Sequence, residues 1–227
     1  MKIAIIADIH SNFDYFSTIL KDIQKHNVDK IFCAGDFVGY YNKPNEVIEE
    51  VKRTGIVCVK GNHDKFLLGE LSYPLAKDFI YQIKKQRKLI TEENIEFIRR
   101  LPDSISCELI GKKIYMTHSF PNDSEKYLYT VEEFTKKDLI DINYYFYGHT
   151  HIPNIIYRYG TCLINPGSVG QPRDYSAQPS FVIVDMVNDE CTLKKIHVDN
   201  LDFVSRLKKS KYPSEVITIL ERKNGKS

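Results

Sequence analysis

The sequence predicts an α/β fold. Two observations carry this. The first third alternates short apolar runs with segments whose apolar residues keep helical spacing, the pattern of βαβ units. The second half changes to paired apolar runs around Gly-containing turns, the pattern of antiparallel hairpins.

Ile3–Ala7 reads as a buried strand, and Ser11 is placed to cap a helix that begins near Asn12. Phe16, Ile19, Leu20 and Ile23 keep the helical period, and Asp14 suits the N-terminal end. Lys30–Ala34 is the second strand. Pro44 opens a helix through Val47, Ile48 and Val51, and Ile56–Val59 is the third strand. These three strands predict a parallel sheet with helices packed on it. The stretch from about Pro74 to Arg100 reads as two helices with Leu75, Phe79, Ile83, Leu89, Ile95, Phe97 and Ile98 as the apolar, inward positions. Thr91 caps the second, and Pro102 follows its end. Hairpins are predicted around Gly111–Lys112, around Gly160 and around Val187–Glu190. Tyr144–Tyr147 is a lone aromatic strand. Helices from about Asn200 and from Pro213 to Arg222 form a tail over about 200–227.

The 227 residues fit one domain, 1–227, with neither repeat nor linker. A charged fraction of 27% argues against disorder, and a net charge of +2 demands neither nucleic acid nor an anionic membrane as partner. The basic run Lys84–Lys88 reads as the solvated end of a helix. Five widely spaced cysteines with no C-x-x-C pair suggest buried, reduced thiols. The apolar run after Lys2 meets Asp8 after five residues, too soon for a signal-peptide core, so a cytoplasmic location is expected.

Five of the seven histidines fall in short motifs, each following an apolar run: Asp8-Ile9-His10, Gly61-Asn62-His63-Asp64, His118, and Gly148-His149-Thr150-His151. Gly35-Asp36 completes the series. His26 and His197 lack ligand-type neighbours and stay outside it. Strand ends gather side chains from distant parts of the chain, and this set offers carboxylates, imidazoles and an amide without a thiolate. Such a set suits a pair of divalent ions about 3.5–4 Å apart, which clamp a displacement at phosphorus. In an extended segment residues i and i+2 share a side, so Asp8 with His10, and His149 with His151, could each serve one ion. By the same rule Asn62 and His63 face apart. Gly148 permits a sharp turn before His149. Oxygen and nitrogen ligands without sulfur suit Mn, Ni, Fe, Co or Zn and do not choose among them.

The motif series resembles the calcineurin-like metallophosphoesterase superfamily. Gly39–Val47, Asn165–Asp174 and the tail around Pro213 and Leu220 resemble its small bacterial and archaeal phosphodiesterase branch, so the likeness covers nearly the whole chain. The resemblance implies two mixed β-sheets packed as a sandwich with flanking helices. It implies that Asp8, His10 and His151 hold one metal, that Asn62, His118 and His149 hold the other, and that Asp36 bridges them. A bridging hydroxide would be the nucleophile and His63 the general acid. Hydrolysis of a small phosphate ester follows, most readily a diester, with a phosphomonoesterase or a dinucleoside polyphosphate hydrolase as alternative. A non-catalytic scaffold, like the retromer subunit of this fold, is disfavoured because His63 and all seven ligands are present. The Gly- and Pro-rich loop Asn165–Asp174 is either a structural turn or a phosphate-binding loop that delivers Arg173; the second reading is favoured, with Arg173 at the surface. Asp64 either orients His63 or caps the following helix, with the cap favoured. Gly39 and Tyr40 stand where the Ser/Thr phosphatases of the superfamily carry Asp and Arg, which weakens a protein-phosphatase reading. Ser119 follows His118 where close relatives often have Gly. The oligomeric state is not legible.

Overall fold

The structure, a computed structural model, describes residues 1–222 apart from Asn122 and Ser124. In chain order the strands are β1 (Lys2–Ile6), β2 (Lys30–Cys33), β3 (Val57–Cys58), β4 (Ser104–Leu109), β5 (Lys112–Thr117), β6 (Tyr144–Phe146), β7 (Asn154–Arg158), β8 (Thr161–Asn165), β9 (Ser180–Asp185) and β10 (Glu190–Lys195). The helices are α1 (Phe13–Gln24), α2 (Pro44–Thr54), α3 (Asn62–Leu68), α4 (Asp78–Tyr81), α5 (Ile83–Leu89), α6 (Glu92–Arg100), α7 (Leu201–Lys209) and α8 (Ser214–Glu221).

The strands form two mixed five-stranded sheets, β10-β9-β1-β2-β3 and β4-β5-β6-β8-β7. Strands β1, β2 and β3 run parallel, and β9 joins the other edge of β1 antiparallel. In the second sheet β5, β6 and β8 run parallel between the antiparallel edges β4 and β7. The sheets pack face to face. Ile3 and Ile5 point into the core between them, against Met116 and Phe146, while Ala4 and Ile6 face the helical layer with Phe16 and Val47. Burial on both faces explains why β1 is apolar from Ile3 to Ile6 rather than alternating. Helices α7 and α8 bury Phe203, Val216 and Leu220 against Tyr15 and Tyr41. On the outer face of the second sheet, Leu128 and Phe134 cover Tyr145 and Leu163. Among the described residues no helix is long and apolar enough to cross a membrane.

Three local expectations are corrected. The cap of α1 is Asn12, whose Oδ1 accepts the Tyr15 N–H at 3.2 Å; Ser11 instead donates its hydroxyl to Gln86 at 3.2 Å. The first of the two middle helices is broken. A 3₁₀ turn at Leu75–Lys77 leads into the short α4, and Gln82 at φ 59° separates α4 from α5. Leu75 and Phe79, and Leu89 at the end of α5, are therefore exposed rather than inward. The basic run is solvated except at its centre, where Gln86 is buried.

The parallel strands of both sheets end at the same rim of the sandwich. Asp8 follows β1, Asp36 follows β2 and Asn62 follows β3; His118 follows β5, and His149 follows β6. Loops at the carboxyl ends of parallel strands are the usual place for a site in such sheets.

Candidate metal centre

The seven predicted ligands and His63 are buried together at this rim. One group contains Asp8, His10 and His151. His10 Nε2 lies 3.1 Å from His151 Nε2, and Asp8 Oδ1 lies 3.6 Å from His151 Nε2. A second contains Asn62, His118 and His149. Asn62 Oδ1 lies 3.0 Å from His118 Nε2 and 3.1 Å from His149 Nδ1. Asp36 stands between the groups, with Oδ2 3.6 Å from His10 Nε2 and 3.5 Å from His118 Nε2.

The backbone decides which imidazole nitrogen faces inward. His10 Nδ1–H donates to Val38 O at 2.8 Å, His118 Nδ1–H to Ala34 O at 2.7 Å, His151 Nδ1–H to Gln171 O at 2.7 Å, and His149 Nε2–H to Glu125 O at 3.1 Å. Each of the four rings spends its proton on a carbonyl, so its other nitrogen presents a lone pair. Burial reinforces this: it lowers His10 to about pH 3 and His149 to about pH 4, and it holds His118 and His151 well below the usual range. The inward imidazole nitrogens and Asn62 Oδ1 then meet at 3.0–3.1 Å with no proton among them. That contact is repulsive unless a cation lies between the donors. Burial also pushes the Asp8 carboxyl up to about 8 and raises Asp36 well above the carboxylate range, and the Arg173 guanidinium, which lowers both, does not offset it. The residues present fit a pair of divalent cations.

The loops are not extended, contrary to the i, i+2 expectation. Asp8, His10, Asp36, His149 and His151 all have φ between 49° and 68°. Left-handed turns, rather than strand alternation, bring Asp8 beside His10, while His149 and His151 do not share a group as their spacing suggested: His149 meets Asn62 and His151 meets His10. Such conformations at non-Gly residues cost about 1–3 kcal/mol each and cluster at functional sites. The expected role of Gly148 also changes. Its φ is not positive; a Cβ there would stand 2.9 Å from Asp8 Oδ2, so glycine is needed for close approach.

Asn62 and His63 do not alternate in a strand either, since both lie in the first turn of α3. His63 nevertheless points elsewhere. Its ring stacks on Tyr40 at 5.0 Å, meets Tyr81 at 4.5 Å and sits 4.8 Å from His10. Its Nδ1 is buried without a partner among the described residues, and burial holds the ring neutral. Gly39, at φ 92°, passes directly behind it: a Cβ there would fall 2.3 Å from His63 Nδ1. Asp64 does not orient His63. Its carboxylate accepts N–H bonds from Gly61 at 2.8 Å, Asp36 at 2.9 Å and Phe37 at 3.0 Å, so it caps α3 and also pins the Asp36 loop.

Loop Asn165–Asp174 is a buttress as well as a carrier of Arg173. Ser168 Oγ donates to Asp8 O at 2.8 Å, and Asn165 Nδ2 to Gly148 O at 2.7 Å. Arg173 is half-buried, not on the open surface. Its Nη2 donates to Tyr40 Oη at 2.9 Å and Gln171 Oε1 at 3.1 Å. Sequence reasoning missed Tyr40 and Gln86 as supporting residues. Gln86 Oε1 accepts the Gly39 N–H at 2.8 Å, and its Nε2 donates to Tyr41 O at 2.6 Å. The available signal was an uncharged residue at the centre of a basic helical run.

Residues 1–189 match the calcineurin-like phosphoesterase superfamily domain. The chain belongs to that superfamily. It is 34% identical over 232 residues to the uncharacterized protein MJ0912 of Methanocaldococcus jannaschii, covering 93% of each chain. Among solved structures it is similar to a metallophosphoesterase from Sphaerobacter thermophilus (TM-score 0.82, 26% identity, 98% of this chain and 99% of that one). It also shares its fold with the hypothetical protein PH1004 from Pyrococcus horikoshii OT3 (TM-score 0.82, 20% identity, 100% and 99%). Membership in the superfamily agrees with the mixed-sheet sandwich and with the buried Asp and His groups at its rim.

Proposed function

We propose that the protein is a metal-dependent phosphodiesterase. The observation that carries this is the convergence of five proton-free donor atoms, the inward nitrogens of His10, His118, His149 and His151 and Asn62 Oδ1, on the buried carboxyls of Asp8 and Asp36. Asp8, His10 and His151 would hold one divalent ion, and Asn62, His118 and His149 a second. Asp36 is suited to bridge them, because its Oδ2 lies within 3.6 Å of a nitrogen from each group. When bound, two such ions supply a water of lowered pKa and polarise a phosphoryl oxygen.

The chain's own residues do the rest. Arg173, held by Tyr40 and Gln171, offers its remaining N–H groups to phosphate oxygens. One guanidinium matches the single negative charge of a diester better than the double charge of a monoester. His63, off the ligand set yet 4.8 Å from the His10 ring, is placed to give a proton to the leaving oxygen. It becomes an acid once the anionic phosphate lies beside it and raises its pKa. The aromatic wall of Tyr40, Tyr81 and Phe66 keeps bulk water from His63.

A hydrolysis screen with Mn, Ni, Zn, Co and Mg, across model diesters, monoesters and dinucleoside polyphosphates, tests the reading. Diester turnover with added metal is expected; turnover confined to monoesters or polyphosphates would move the substrate class. His63→Ala should keep both ions and lose roughly 10²–10⁴-fold in turnover on an alkyl diester. It should lose far less on bis(nitrophenyl) phosphate, whose leaving group needs no proton. Equal losses on both would show that His63 positions the phosphate instead.

A further inference from the structure

We propose that Tyr127 and Tyr129 form a subsite for a planar ring carried by the phosphate ester; this rests on the phosphoesterase reading above. The Tyr127 ring lies against His149, with centroids 4.1 Å apart, so whatever rests on it is one side chain away from the metal centre. Tyr129 stacks on Tyr127 with planes 9° apart and centroids at 5.5 Å. The two rings therefore form one partly exposed aromatic surface that begins at the site, with Tyr129 the more exposed.

The local chain holds them there. Leu128, between the two tyrosines, is buried in the cluster that covers the second sheet, and this leaves Tyr127 41% and Tyr129 58% exposed. Upstream, Glu125 O accepts the His149 Nε2–H at 3.1 Å, so the segment that sets the tautomer of His149 also carries the platform. Exposed aromatic rings forfeit burial energy. A pair stacked in register beside a metal centre offers π-faces to a flat group, unlike Tyr175, which is 98% exposed with no ring partner. A nucleobase and a simple aryl ring share the required chemistry.

The test uses three diesters with one common nitrophenolate leaving group, whose second substituent is thymidine, phenyl or methyl. The full chain, loaded with Mn, is compared with Tyr129→Leu and Tyr127→Leu. The ring-bearing esters should lose about fivefold or more in kcat/KM in each variant, the lower end of what one stacked base contributes. The methyl ester should keep its value in Tyr129→Leu, which does not touch His149. A loss confined to the thymidine ester assigns a nucleobase, and a loss on both ring-bearing esters assigns any planar ring. Equal loss on all three esters, or no loss on any, overturns the subsite. If none of the three is hydrolysed, the phosphoesterase reading fails and binding decides the subsite. AMP should then bind the Mn-loaded chain at least fivefold more tightly than inorganic phosphate. That preference should vanish in Tyr129→Leu, and its survival there overturns the proposal.

Discussion

Gly39→Ala probes how His63 is seated. The new Cβ would stand 2.3 Å from His63 Nδ1, 3.2 Å from Cε1 and 3.3 Å from Cγ. The ring cannot sidestep, because Tyr40, Tyr81 and Phe66 enclose it. Two costs add. A non-Gly residue at φ 92° costs about 1–3 kcal/mol in backbone strain, and forcing a methyl into a packed site costs about 1–3 kcal/mol more. For a chain of this size the sum lowers Tm by roughly 5–20 °C. Displacing the proton donor should also lower turnover of an alkyl diester by up to the roughly 10²–10⁴-fold that an acid contributes. Thermal melts, metal analysis and kcat are measured on wild type, Gly39→Ala, His63→Ala and the double variant. In the His63→Ala background the space is free, so Gly39→Ala should add no kinetic loss, and only its backbone cost should remain. Wild-type turnover in Gly39→Ala, or a further kinetic loss in the double variant, would refute the reasoning.

Asp36→Asn should lose at least one of the two ions, since a neutral amide offsets the repulsion of two adjacent cations poorly; elemental analysis that finds both retained removes the bridging role. Arg173→Ala should raise KM more than it lowers kcat. It should also cost about 1–2 kcal/mol, as expected for two lost hydrogen bonds, rather than nothing, and unchanged kinetics with a large Tm loss would make the residue structural. Burial raises the Asp8 carboxyl to about 8, so the folded metal-free chain keeps a proton that the unfolded chain has lost. That contribution to stability is full below about pH 4 and fades as pH rises toward 8. Below about pH 6.5 the buried neutral histidines work oppositely, since only the unfolded chain gains their protons. Between pH 6.5 and 8 the metal-free protein should therefore lose stability as pH rises, and the increase in Tm on adding Mn should grow. Calorimetry at pH 7 in two buffers of different ionisation heat should show proton release on metal binding; heats independent of buffer would contradict the protonated Asp8.

Much of the fold was legible because burial pattern follows strand type. The apolar run of β1 announced a strand covered on both faces, and the Gly111 and Gly160 hairpins appeared where expected. The second sheet's place in a sandwich came from family resemblance, since local periodicity carries no information on which sheet a strand joins. Helix α4 and its break were not legible, because Leu75 and Phe79 keep helical spacing while facing solvent. At the site, residue types pointed to side chains that the structure does bring together, yet the reason given for their pairing was wrong: left-handed turns, not strand alternation, place them. The carbonyls of Ala34, Val38, Glu125 and Gln171 that set the imidazole tautomers had no side-chain signal at all. Arg173 lies mid-way along the segment between β8 and β9, and its partner Tyr40 lies 133 residues away in sequence with nothing local to link them.

The central claim is a site for two divalent ions that hydrolyses phosphate esters. The most direct measurement titrates the metal-free protein with Mn and follows bound metal and bis(nitrophenyl) phosphate hydrolysis in the same samples. The account predicts saturation at two ions per chain, with turnover appearing as the second ion binds. Saturation at a single ion, or two bound ions with no hydrolysis, would contradict it.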